Sequence, residues 1–218
     1  MAESKGGEHV HMDKDVGGDL DMPFGGGVAA NRQLPEDPIN FAVSTRAAFS
    51  GGTIQVLGAP TLPSLTGEKV AMARVVLEPC GINLDFIPRA TEILYVVDAA
   101  PEGVLMAFVD EFVPGQGPRA ITNVVTTGEA TFFPQGLGHM QVNLGCTPAT
   151  MIAALGSDDF GVQTITAVIA GLASDDRLAE GAAAALGIYS DQLAQLSAGF
   201  PTNPAAGSDA CRARCGLV

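Results

Sequence analysis

Tryptophan is missing from this chain, tyrosine occurs twice, and only three histidines are present among 218 residues. With so few histidines, and with none of the four cysteines spaced as a CxxC pair, the sequence argues against a structural zinc site. Positive charge is scarce as well: 11 Lys and Arg stand against 24 Asp and Glu, for a formal net charge of -13. Such a surface repels phosphate backbones and anionic lipid, which argues against a nucleic-acid partner. No run approaches the roughly 18 apolar residues of a membrane span, and no secretory apolar segment opens the chain. The chain is therefore expected to be intracellular or a mature exported form. Asn-x-Ser/Thr sequons, a Walker A loop and a dinucleotide fingerprint are all absent, and Gly25-Gly-Gly27 leads into no helix signal. A Ser-His-acid triad would have to use His139.

What remains is 47% hydrophobic, with 27 glycines and 14 prolines, a composition of short strands joined by many turns. Residues 1–22 are polar, acidic and without hydrophobic period, and read as a flexible tail; the His9–His11 pair inside it has nothing to orient it for metal binding. Residues 23–157 read as a β-domain. Strands are expected at Phe41–Val43, Gly51–Leu57, Val70–Leu77, Glu92–Val97, Val104–Val109, Ala120–Thr126, Thr127–Phe133, His139–Leu144 and Thr150–Leu155, with 92–109 forming a hairpin. That series, at a spacing of about 8–12 residues, predicts a sandwich or barrel. From Asp158 the texture turns helical: Val162–Leu172, then a helix capped near Ser174, then Ser190–Leu196. Residues 158–218 thus form a helical arm with little core of its own. It should be buried against its own barrel or a neighbour's. Cys80, Cys146, Cys211 and Cys215 permit two disulfides in three connectivities, which suits an exported protein.

Several motifs occur in order: Pro79-Cys-Gly-Ile-Asn83, Pro88-Arg-Ala-Thr-Glu-Ile93, Phe133-Pro-Gln-Gly-Leu-Gly-His-Met-Gln-Val-Asn-Leu-Gly145, and Ala153-Ala-Leu-Gly-Ser-Asp-Asp-Phe-Gly-Val-Gln-Thr-Ile165. Over roughly residues 40–217 the chain resembles the germin-type cupins, and its cysteine-bearing segments look more like the spherulin-like branch. The resemblance implies a mainly β fold: a single cupin jelly-roll barrel with a C-terminal α-helical extension. It also implies assembly into a homo-oligomer, from dimer to hexamer, through barrel edges and C-terminal helices.

In that family three histidines and a glutamate hold a metal, usually manganese, inside the barrel. Carried over, the glutamate is Glu92 and the last histidine His139. The first box has lost both of its histidines and one residue of length; aligned from Pro88, Asp85 replaces the first and Ile87 the second. The surviving candidate metal set is Asp85, Glu92 and His139, able to hold a hard divalent ion weakly, manganese before others, or none. Without metal, two facing carboxylates would repel and one would stay protonated. The family's paired boxes bring Cys80 towards Cys146, leaving Cys211 for Cys215; the rival is a C-terminal cysteine that pins the arm to the barrel. The implied function is a secreted, oligomeric protein of structural, storage or stress type with a lost or weakened metal site. The alternatives are a manganese-dependent oxidoreductase, such as oxalate oxidase or superoxide dismutase, and a metal-free barrel that binds or isomerises a small molecule.

Overall fold

A computed structural model describes residues 41, 45–111 and 113–217, with the backbone alone at 45–49, 85 and 86. The tail of residues 1–22, its His9–His11 pair and most of the expected strand at Phe41–Val43 lie outside the described residues.

Eleven strands are present among the described residues: β1 (Thr45–Phe49), β2 (Gly52–Leu57), β3 (Ala71–Leu77), β4 (Ile82–Ile87), β5 (Glu92–Asp98), β6 (Val104–Val109), β7 (Ala120–Val125), β8 (Ala130–Phe133), β9 (His139–Asn143), β10 (Ala149–Leu155) and β11 (Gln163–Thr164). They form two antiparallel sheets, ordered β1-β2-β3-β10-β5-β8 and β11-β4-β9-β6-β7. Strict alternation builds the interior. Leu94 and Val96 on β5, Met151, Ala153 and Leu155 on β10, and Val75 and Leu77 on β3 all point inward and are buried. The residues between them face out.

The 92–109 segment is not a hairpin. β5 pairs with β10 and β8, whereas β6 pairs with β7 and β9 in the other sheet. Both strands are apolar on one face and need a covering sheet, so the Ala99–Gly103 turn carries the chain across the sandwich instead of folding it back. By contrast β4, the first-box strand, does lie antiparallel beside β9, the second-box strand.

Past β10 the chain does not turn helical at once. Gln163 and Thr164 first pair with Ile87 and Phe86 of β4. Thr164 then caps α1 (Ile165–Ala173) by accepting from the Ala167 amide. Asp175, not Ser174, caps α2 (Asp176–Leu186), and Gly187 closes it in the left-handed conformation. α3 (Ser190–Ala198) matches the expected third helix, while the short α4 (Asp209–Arg214) has no apolar period to betray it. The three longer helices pack on one another through Ala183 and Leu193.

Residues 203–207 run back along the barrel. Ile82 and Ala205 exchange backbone hydrogen bonds, and the Gly51 amide donates to the Pro204 carbonyl. Gly207, with φ of 85°, lies so close that a Cβ would sit 1.9 Å from the Cys80 carbonyl oxygen. Two disulfides fasten this return, Cys80–Cys211 and Cys146–Cys215. The pairings Cys80–Cys146 and Cys211–Cys215 are therefore not formed. At one-turn spacing on α4, both C-terminal cysteines face the barrel, and each reaches its own barrel cysteine.

Candidate functional site at the barrel mouth

Glu92 opens β5 and His139 opens β9, so the two sheets bring them together across the interior from sequence positions 47 residues apart. The Pro88–Thr91 turn sets Glu92 in place. The Arg89 amide donates to the Phe160 carbonyl, and the Gly156 amide to that of Thr91. Burial of Ala90 at 3% exposure completes the anchor. His139 stacks on Phe133, with ring centroids 4.0 Å apart and planes 9° apart. Phe108 meets the other ring edge-on. The His139 Nδ1 lies 3.3 Å from the Leu137 carbonyl oxygen, which assigns the proton to Nδ1 and the lone pair to Nε2.

Nε2 of His139 lies 3.6 Å from the Glu92 Oε2, and both side chains are almost wholly buried. Burial pushes the Glu92 carboxyl up to about 7. Burial likewise holds the His139 imidazole down at about 4, opposed in part by the Leu137 carbonyl. Near neutrality the pair thus consists of a neutral imidazole and a carboxyl close to half-protonated, an arrangement suited to taking or giving a proton.

Ile87 does not take the inward place that the alignment from Pro88 implied. Asn83 pairs with Gln141 and Phe86 with His139, so β4 fits three residue steps against two on β9. The extra residue makes a bulge at Leu84–Asp85, and a bulge resets the in-out alternation. Phe86 is consequently the register partner of His139. Ile87 pairs with Gln163 and lines an outer hollow with Arg89 and Gln135, away from Glu92. The side chain of Asp85 lies outside the described residues.

A metal set can be tested on these distances. Glu92 Oε2 and His139 Nε2 are near enough to share one ion at bonds of about 2.0–2.2 Å. Among the described residues no third histidine, cysteine or carboxylate joins them. Manganese takes an octahedral set of N and O donors, and two donors do not make one; the described residues do not fit a full manganese centre.

Beside Glu92 lies an apolar cavity of about 430 Å³. Val75, Ala153, Leu155 and Phe160 form its walls, and Glu92, Asn83, Asn203 and Thr164 supply the polar atoms. Sequence reasoning missed this polar strip. The Asn83 amide donates to the Gln141 Oε1 at 2.6 Å, and that of Asn203 donates to the Asn83 Oδ1 at 2.8 Å. The Gln141 Nε2 is buried without a hydrogen-bond partner among the described residues. Asn83 and Gln141 stood inside the quoted boxes, but nothing local flagged Asn203, which arrives from the far end of the chain.

The cupin family model matches residues 40–182, and the chain belongs to the cupin family. More particularly, it is 35% identical over 170 residues to spherulin-1A of Physarum polycephalum, covering 77% of this chain and 64% of that protein. It is 36% identical over 154 residues to germin-like protein 4-1 of Oryza sativa subsp. japonica, covering 69% and 58%. The chain thus spans less than two thirds of these relatives' length. Among solved structures, an oxalate oxidase in complex with the substrate analogue glycolate matches with a TM-score of 0.63 at 26% identity, covering 77% of this chain and 85% of that one. An oxalate decarboxylase of Bacillus subtilis, at 20% identity and a TM-score of 0.57, shares the fold. Among the described residues no helix is long and apolar enough to cross a membrane.

Proposed function

We propose that this chain is a secreted germin- and spherulin-like cupin whose metal site has been weakened, serving as a durable oligomeric protein of structural, storage or stress type. The observation that carries this reading is the donor set: Glu92 and His139 face each other, while the register of β4 puts Phe86 opposite His139 and sends Ile87 outward. Asp85, in the bulge, is the third member of a weak hard-ion site with them. A manganese-dependent oxidoreductase such as oxalate oxidase or superoxide dismutase would need more donors than that. Two disulfides support export. Assembly is supported by an apolar row across the outer face of the larger sheet, where Met72, Ala154, Ile93 and Phe132 are register neighbours on four successive strands. Ile93 and Phe132 there are 56% and 57% exposed.

Metal analysis of the untagged protein tests the reading. Manganese well below one ion per chain is expected, and dialysis against a chelator should leave the barrel folded. One tightly held manganese per chain would overturn it.

A second reading is favoured by the cavity. Its size suits a small organic molecule, its walls are apolar, and the carboxyl facing it is near half-protonated at neutral pH. Such a site takes a neutral, largely apolar ligand bearing one carbonyl or hydroxyl, with Glu92 as acid or base. Titration with 2-naphthol, followed by amide NMR, should shift Val75, Ala153 and Asn203, and Ala153→Phe should abolish those shifts. Shifts scattered over the surface, or none, would dismiss it.

A further inference from the structure

At the opposite end of the barrel the fold gathers what the sequence keeps apart. Cys80 and Cys146 lie in barrel loops, and Cys211 on α4 and Cys215 at its C-cap face them. The two disulfides lie side by side, with the Cys80 Sγ 3.7 Å from the Cys215 Sγ. The sulfurs of Cys80, Cys211 and Cys215 all fall within 4.8 Å of one another, and Cys146 is bonded to the last of them.

Three of the four sulfurs thus stand within the span of a tetrathiolate zinc site, and the Cys146 sulfur, outside that span, enters it by side-chain rotation once its bond to Cys215 opens. At a Zn–S bond of about 2.3 Å, the sulfurs at the corners of a tetrahedron stand about 3.8 Å apart. One edge is therefore in place already. The bonded pairs have Cα separations of 5.8 and 5.2 Å, so each can open from bond to edge by side-chain rotation with little backbone movement. The backbone around the cluster is fixed: Cys80 holds a left-handed φ of 64°, and its amide donates to the Gly145 carbonyl. Charge fits as well. Four thiolates on one zinc ion carry two net negative charges, and the Arg214 guanidinium lies 3.3 Å from the Cys211 Sγ. The same guanidinium donates to the Leu144 carbonyl, which holds it in position. In a chain with 11 basic residues against 24 acidic ones, a cation there offsets charge where a metal thiolate would build it up.

We propose that the reduced chain binds one zinc ion through Cys80, Cys146, Cys211 and Cys215, at the corner that the oxidised chain closes with two disulfides. A dithiol is the reductant. Two equivalents supply four electrons and four protons, both S–S bonds break, four thiols form, and each dithiol becomes a disulfide. Zinc then binds as the four thiols release their protons to solvent. Cys146 is exposed and gives reductant and ion their way in. With the ion bound, α4 stays docked on the barrel while the four sulfurs are reduced; two equivalents of a small-molecule disulfide re-form both S–S bonds, become dithiols and expel the ion.

The test uses the full-length chain, reduced with a dithiol, freed of it under argon and titrated with Co²⁺ as the probe. One equivalent is expected to bind, with the thiolate charge-transfer absorption and intense visible bands of tetrahedral cobalt, and Zn²⁺ should displace it. Cys146→Ser should lose the four-thiolate spectrum. Arg214→Ala should keep the spectrum and weaken binding about 10-fold, the usual effect of an outer-shell group. Because reduction can loosen the fold, the titration is repeated in urea, where a site built by the fold binds at least about 10-fold more weakly. No binding at one equivalent, the pale spectrum of octahedral cobalt, a Cys146→Ser chain with the parent spectrum, or equal affinity in urea would each overturn the proposal.

Discussion

Asn143 and Glu92 are both buried, at opposite ends of the barrel, and the fold treats them differently. The Asn143 amide donates to the carbonyls of Leu77, Glu78 and Thr147, and its oxygen accepts from the Gly145 amide. It ties the start of the first box to the end of the second, beside both disulfides and the returning segment at Ala205. Glu92 has no compensating hydrogen bond among the described residues. It faces a neutral imidazole and an apolar cavity, and its burial is answered by protonation instead. One end is saturated with partners and one end holds a polar group in reserve. Unmet polarity of that kind costs stability, and its position at the barrel mouth is what marks the site.

The sharpest way to break the contrast is to unsatisfy the closed end. Asn143→Ala takes a donor from the carbonyls of Leu77, Glu78 and Thr147 and the acceptor from the Gly145 amide, in a space too tight to hydrate freely; of these the Glu78 carbonyl keeps the Gly81 amide. A loss of about 3–4 kcal/mol is expected in urea unfolding. A loss below about 1 kcal/mol would mean that water reaches those groups, and the two ends would no longer differ in kind. Next in size, Cys146→Ser with Cys215→Ser opens a loop spanning 69 residues of sequence separation. It should cost about 2–4 kcal/mol and release α4 to proteolysis while leaving β4 and β9 paired. Loss of the barrel itself, read by amide exchange, would show that the arm is part of the core.

The open end answers to pH, and its two groups pull in opposite directions. The Glu92 carboxyl is raised from 4.5 to about 7, so the folded chain holds its proton longer than the unfolded chain does. That contribution is complete below pH 4.5 and is lost as pH rises to about 7. The His139 imidazole is lowered from 6.5 to about 4, so the folded chain refuses a proton that the unfolded chain accepts. Its contribution is complete above pH 6.5 and is lost as pH falls towards 4. Across pH 4.5 to 6.5 the two slopes offset each other, and the parent protein should show little dependence from this pair. Glu92→Gln removes one slope. It should stabilise the chain at pH 8 by about 2–3 kcal/mol, leave it nearly unchanged at pH 4.5, and expose the rise due to His139 between pH 4 and 6.5. Equal effects at both pH values would mean that Glu92 is not held protonated.

The barrel was legible because its signals are repeated: alternating apolar strands, boxes in order, and the Pro-Arg-Ala-Thr turn ahead of Glu92. The 92–109 crossing was not, since a five-residue turn between two apolar strands reads the same whether they pair or part into opposite sheets. The position of the bulge was also hidden. One lost residue between Asn83 and Pro88 can be absorbed anywhere along β4, and each choice reverses which of Phe86 and Ile87 meets His139. Only the pairing with β9 decides. Of the two cysteine readings, the rival that pins the arm to the barrel is the one formed, and the pairing of Cys80 with Cys146 failed for a related reason. Spacing along α4 says that Cys211 and Cys215 share a face, and a shared face serves two long-range bonds as well as one local bond. Asn203 is the hardest case, for it enters the cavity from a segment with no period and no motif.

The smallest change tests how the site end is fastened. Arg89 begins where the Pro88 turn meets the Phe160 loop, and its guanidinium pairs with the Asp159 carboxylate at 2.9 Å. Both side chains are about two thirds exposed, so the pair is screened and Arg89→Ala should cost less than about 1 kcal/mol. The backbone bond from the Arg89 amide to the Phe160 carbonyl survives that change, and Glu92 should keep its place. Gly161→Ala acts on the backbone instead: its φ is 60° and a Cβ would lie 2.8 Å from the Arg89 side chain. It should cost about 1–2 kcal/mol. If Arg89→Ala proved the costlier of the two, the mouth would be held by side-chain charge, and salt would loosen it as readily as mutation.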